Sequence, residues 1–101
     1  MELLNVQALN RAIQRHPDAA PWLVRWADAV RHAAWQNLQE VRKTYPSADG
    51  VPLKKIVVTV FNVKGNEYRL LTVIRYRAQR IYVIDVLTHA KYSKEKWKDR
   101  L

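Results

Sequence analysis

A chain of 101 residues with 49% apolar content and four tryptophans can bury one core, which excludes a disordered chain and reads as one domain over residues 1–101. It has no cysteine, so disulfides and thiolate zinc sites are excluded, and no apolar run approaches the roughly 20 residues of a membrane helix. The net charge is +9: six basic residues face five acidic ones up to Leu53, and twelve face four from Lys54 onward. That asymmetry points to a polyanion partner, nucleic acid before membrane, with a solubilising surface as the alternative.

The elements come in two halves. Glu2 to Leu4 is a short first strand, and Asn5 is positioned to cap a helix with Val6, Leu9, Ala12 and Ile13 on one face. His16-Pro17-Asp18 ends that helix, and Pro21 opens a second with Trp22, Leu23, Trp26, Ala27, Val30, Ala33 and Ala34 as its apolar stripe. Trp35, Leu38 and Val41 mark a third helical stretch ending near Arg42-Lys43, and residues 45–50 carry turn chemistry.

The period then changes. Leu53 to Val63 is rich in Val and Ile on both parities and predicts a strand buried on two faces. Lys64-Gly65-Asn66 signals a hairpin. Tyr68 to Arg77 alternates, with Tyr68, Leu70, Thr72, Ile74 and Tyr76 on one face and Arg69, Leu71, Val73, Arg75 and Arg77 on the other. Ile81 to His89 is a third long strand interrupted by Asp85, and residues 90–101 suit a short, very basic helix. Helices, then a meander, then a terminal helix predict an α+β fold. The expected architecture has N-terminal helices on one face of a twisted antiparallel sheet of three to five strands. Its other face would be partly open and basic.

No Gly-rich phosphate loop, His-Glu-x-x-His pattern or complete helix-turn-helix is present. No metal site or cofactor is expected, nor sequence-specific DNA binding by this chain alone. Were the polyanion an RNA cleaved without a metal, the neighbouring 2′-hydroxyl would attack, which needs a base, an acid and cations at the phosphate. His89 closes a strand and stands three residues before Tyr92, a separation that joins side chains across one helical turn, so His89 is the leading acid–base candidate. Tyr92 reads as its partner, as a base-stacking platform, or as the anchor of the terminal helix. Arg69 is a candidate for the scissile phosphate, against an ion pair with Glu67 or Asp85. Lys64, Lys91, Lys94 and Lys98 are candidate phosphate contacts, and Tyr68 with Tyr76 a stacking pair in which at least one has a core role.

Val60-Phe61-Asn62-Val63-Lys64-Gly65-Asn66-Glu67-Tyr68-Arg69-Leu70 resembles the Phe-Asn, glycine turn, Asn-x-Tyr-Arg-Leu pattern of the HigB branch of the RelE/ParE toxin superfamily. Gln79-Arg80-Ile81-Tyr82-Val83 and Val86-Leu87-Thr88-His89-Ala90-Lys91-Tyr92 are similar to its second block, and Ala34-Trp35-Gln36-Asn37 and Tyr45-Pro46-Ser47-Ala48-Asp49 to its upstream segments. The resemblance implies a metal-independent endoribonuclease that cuts mRNA on translating ribosomes in the bacterial cytoplasm. The match of Tyr68-Arg69-Leu70 to the family pattern favours a functional Arg69, and the resemblance also implies a cognate, DNA-binding HigA-like antitoxin as partner. Lys64 stands where the family turn often has a first glycine, and Lys91 and Ser93 replace frequent acidic residues. The rival readings are a non-catalytic inhibitor that occupies ribosome or RNA, and a ParE-like gyrase poison.

Overall fold

The computed structural model describes all 101 residues. Strand β1 (Glu2–Leu4) leads into helix α1 (Val6–Arg15), a 3₁₀ turn (Pro17–Ala19), α2 (Ala20–His32) and α3 (Leu38–Thr44). Strands β2 (Asp49–Pro52), β3 (Val57–Val63), β4 (Tyr68–Arg75) and β5 (Arg80–Thr88) follow, then α4 (His89–Ser93) and a 3₁₀ turn (Lys96–Arg100). The result is the expected α+β fold, with a five-stranded sheet in the order β1-β5-β4-β3-β2. No helix is long and apolar enough to cross a membrane.

The sheet is mixed rather than wholly antiparallel. β2 to β5 form the meander that short connections require, but β1 runs parallel to β5, with Leu3 opposite Ile81. Short connections do not constrain β1, because most of the chain separates it from its partner. Asn5 also departs from the expected cap. It sits at φ 61° with no side-chain cap bond, and its Nδ2 instead donates to the Val83 carbonyl at 2.7 Å, tying the start of α1 to β5.

Three further boundaries differ from expectation for local reasons. Trp35 precedes α3, which starts only at Leu38 because Asn37 accepts from the Glu40 amide and caps it. Residues 49–52 pair as β2 instead of ending in a turn. A reversal at residues 53–56, closed by the Leu53 amide on the Ile56 carbonyl, delays β3 to Val57.

The predicted apolar faces supply the larger core. Leu9 and Ala12 from α1 and Leu23, Trp26, Ala27 and Val30 from α2 pack on Phe61, Val63, Leu70, Ile74, Ile81, Val83 and Val86 of the sheet. Trp26 meets Phe61 edge-on at 5.5 Å, and its Nε1 is the one fully buried side-chain polar atom with no partner. Val83 and Val86 share this face across odd spacing because a bulge intervenes: Leu71 pairs with Asp85 and Thr72 with Val83, leaving Ile84 as the extra residue.

The second face, expected to be partly open, is covered at its centre. Val58, Val60, Leu71 and Leu87 pack under Trp97, which is 3% exposed, with Tyr92 and Ile84 alongside. The C-terminal residues therefore form α4 and a separate 3₁₀ turn, broken by Glu95 at φ 62°, so that one aromatic side chain reaches the sheet.

Lys64 adopts φ 53° beside Gly65 at φ 69°, a left-handed pair that explains why this turn favours glycine twice. The strained lysine is held by Asp18 at 3.1 Å, and Tyr68 donates to the same carboxylate at 2.9 Å while its ring meets His16 at 4.7 Å. The Lys64 and Tyr68 bonds hold the Asp18 carboxyl below its ordinary range. A lowered carboxylate stabilises the fold above its unfolded value, and that contribution is lost as pH falls through the folded value. Asp18→Asn should therefore lower the melting temperature slightly near neutrality and match the parent in strong acid. Equal differences at both pH values would exclude the linkage.

Candidate active site

Beside the C-terminal segment the second sheet face opens into a cleft of about 450 Å³, lined among others by Arg42, Asp49, Asn62, Arg69 and Tyr92. Strand register explains the gathering. Asn62 on β3 pairs with Arg69 on β4, and Asp49 on β2 pairs with Val60, two residues along from Asn62. Residues paired across antiparallel strands share a face, so carboxylate, amide and guanidinium stand on three adjacent strands.

Arg69 makes neither of the ion pairs open to it in the sequence. Glu67 pairs with Lys64 at 3.6 Å and Asp85 with Arg15 at 2.9 Å. Its guanidinium donates to the Asn66 side chain and to the carbonyls of Asn66 and Tyr68, and lies over the Tyr92 ring at 5.6 Å. Its charge is oriented without being neutralised.

Tyr92 is the centre of a stack. Its ring lies nearly parallel to that of Trp97, at 5.3 Å and 15°, and Trp97 Nε1 donates to the Tyr92 carbonyl at 3.1 Å. Burial and then the Asp49 carboxylate raise the Tyr92 hydroxyl above the ordinary tyrosine value, against the opposing Arg69 and Lys98 charges. At neutral pH this hydroxyl is a donor, not a base. Anchor and site residue are alternatives in the sequence; in the fold the side chain packs against the smaller cluster and also lines the cleft.

His89 is the first residue of α4, one turn before Tyr92. Its amide donates to the Glu67 carbonyl at 2.9 Å, Thr88 caps the helix at the Lys91 amide, and the exposed ring makes no hydrogen bond within the protein. His89 is not among the residues lining the cleft. No three His, Cys, Asp or Glu side chains gather where they would hold a metal ion.

The candidate RNA contacts separate into groups. Lys91 and Lys94 line a second cleft of about 260 Å³ with Lys96, Arg100, Leu87 and Trp97. None of these four cations has a carboxylate partner, whereas Arg15, Arg42, Lys64, Arg80 and Lys98 each do. Lys98 pairs with Glu95 and covers Trp97 at 5.8 Å. Lys64 and Tyr68 lie elsewhere, bound to Asp18 near the helices, and Tyr76 packs against the larger core.

Sequence reasoning did not place Arg42, Asp49 and Asn62 in the cleft beside Arg69 and Tyr92. Arg42 reads as a helix-end cation and Asp49 as a turn residue, and only the pairing of β2 with β3 aligns them with Arg69. The signal was present in the Phe61-Asn62 and Tyr45-Asp49 segments, which carry part of the family resemblance.

Residues 19–95 match the family model described as HigB toxin, RelE-like toxic component of a toxin-antitoxin system. Over 94 residues the chain is 29% identical to the mRNA interferase toxin HigB of Escherichia coli strain K12, covering 92% of this chain and 88% of that protein. The mRNA interferase HigB proteins of Escherichia coli O157:H7 and Shigella flexneri match to the same extent. With the fold, the uncompensated arginine on the sheet and the Thr-His-x-x-Tyr turn of α4 all in place, this chain belongs to the HigB toxin family of RelE-like toxin-antitoxin components.

Proposed function

We propose that this protein is a toxin that cleaves mRNA on the translating ribosome, in the bacterial cytoplasm and without a metal. A cognate, DNA-binding HigA-like antitoxin neutralises it. The observation that carries the reading is the uncompensated Arg69 guanidinium stacked on a protonated Tyr92, with His89 one helical turn away. Arg69 orients the scissile phosphate and takes up charge developing on its oxygens. Tyr92 donates to the same phosphate, and His89 carries a proton in the reaction.

The unpaired Lys91, Lys94, Lys96 and Arg100 suit backbone phosphates of mRNA or ribosomal RNA. Replacing all four with Ala should flatten the plot of log affinity for single-stranded RNA against log salt by up to about 3 units, at roughly 0.7 for each phosphate no longer neutralised. An unchanged slope would remove this cleft from the RNA surface.

Primer extension on an abundant mRNA after brief induction tests the activity, with wild type beside His89→Ala. Discrete cuts that need translation and vanish in the variant are expected. Growth arrest with intact mRNA would refute the nuclease reading and favour occupancy of the ribosome or action on gyrase.

A further inference from the structure

We infer that Asp49, rather than His89, is the base that takes the proton from the attacking 2′-hydroxyl. This assignment rests on the nuclease reading and places one step within it.

Among the polar groups lining the cleft, only one can accept a proton at neutral pH. Arg42 and Arg69 are cations, and Asn62 and Ser47 are neutral amide and hydroxyl. The Tyr92 hydroxyl is raised and stays protonated. Asp49 is the one carboxylate. It is exposed enough to meet a substrate, and Arg42 Nη2 holds it at 3.6 Å while Arg42 Nε donates to the Ala48 carbonyl at 2.8 Å. The carboxylate is thus held from α3 through both its own side chain and the backbone just before it. Placement on the sheet fits the same role. Asp49 and Asn62 are diagonal neighbours on adjacent strands, about 7–8 Å apart at the backbone. Arg69 lies directly across from Asn62. A phosphodiester bound at Arg69 can then present its ribose toward Asp49.

The step balances within the chain and its substrate. The 2′-oxygen bonds to phosphorus as its proton passes to an Asp49 carboxylate oxygen. The bond from phosphorus to the 5′-oxygen breaks, and that oxygen takes a proton from His89. The products are a 2′,3′-cyclic phosphate and a 5′-hydroxyl, and solvent resets both groups.

The test uses ribosomes carrying a short synthetic mRNA, with either oxygen or sulfur as the 5′ leaving atom at the mapped cleavage position. Sulfur leaves without an acid, so only the base is needed. The charged and titratable groups facing Asp49 are Arg42 from α3, Arg69 from β4 and Tyr92 from α4. On the sulfur substrate the wild-type rate should reach a plateau that does not change with pH. Asp49→Asn should be slower by roughly 10²–10⁴-fold. Its rate should rise tenfold per pH unit, because hydroxide replaces the lost base. Asp49→Glu should keep the plateau. His89→Ala should be slow on oxygen and recover on sulfur.

Asp49→Asn that keeps the wild-type profile, at any rate, overturns the assignment and leaves the carboxylate a structural partner of Arg42. His89→Ala that loses the plateau on sulfur makes histidine the base and also overturns it. A wild type that cuts neither substrate overturns the nuclease reading itself, and this step with it.

Discussion

Arg69→Ala should slow single-turnover mRNA cleavage on ribosomes by about 10²–10³-fold, the usual cost of removing one preorganised donor to a developing charge. Arg69→Lys should recover only a small part. A guanidinium presents a planar fork that binds two phosphate oxygens and lies flat on an aromatic ring, whereas an ammonium is a flexible point charge. Arg69 has no carboxylate to lose, so neither change leaves a buried anion unpaired, and both variants should melt close to the parent. That separation makes the test specific. Full activity in Arg69→Lys would reduce the residue to a simple cation, and full activity in Arg69→Ala would remove it from the reaction.

Trp97→Ala should have the largest effect on stability, about 3 kcal/mol by urea unfolding, together with a strong loss of cleavage. Truncating a buried tryptophan generally costs about 3–5 kcal/mol, and the lower end applies because the terminal turn can detach rather than hold a cavity open. Trp97 is the buried centre of the smaller cluster, and its ring and Nε1 position Tyr92. Trp97→Phe keeps a stacking surface but gives up the hydrogen bond to the Tyr92 carbonyl. It should cost less in stability and retain part of the activity. If Trp97→Ala unfolds like the parent and cleaves normally, the C-terminal turn is a passive cover and Tyr92 is held by α4 alone.

The two cationic regions should respond differently. On the proposed reading Arg69 acts at one phosphate, so its removal appears in the cleavage rate. On the same reading Lys91, Lys94, Lys96 and Arg100 act through summed charge, so their removal appears in affinity and its salt dependence. In the sequence Lys64 reads like them, because it is basic and stands in a hairpin. Its pairing with Asp18 also ties the β3–β4 turn to the first half of the chain.

The sequence by itself determined the helix faces of α1 and α2, the strand faces of β4, the hairpin at Lys64-Gly65, the C-terminal location of the excess charge and the family. These are local properties: side-chain period sets which face is apolar, turn residues set where the chain reverses, and an ordered series of short motifs survives without reference to three dimensions. Arg69 and Tyr92 were legible as site candidates on the same terms. What only the tertiary structure decided depends on pairing between distant residues. β1 joins β5 in parallel across most of the chain, and the bulge at Ile84 brings Val83 and Val86 to the same face. Trp97 reaches back to close the second sheet face, which the basic C-terminal residues alone would leave open. Asp49 is a turn residue by composition and becomes part of the cleft only because β2 pairs with β3 in one register. A shift of one residue would send its carboxylate to the opposite face.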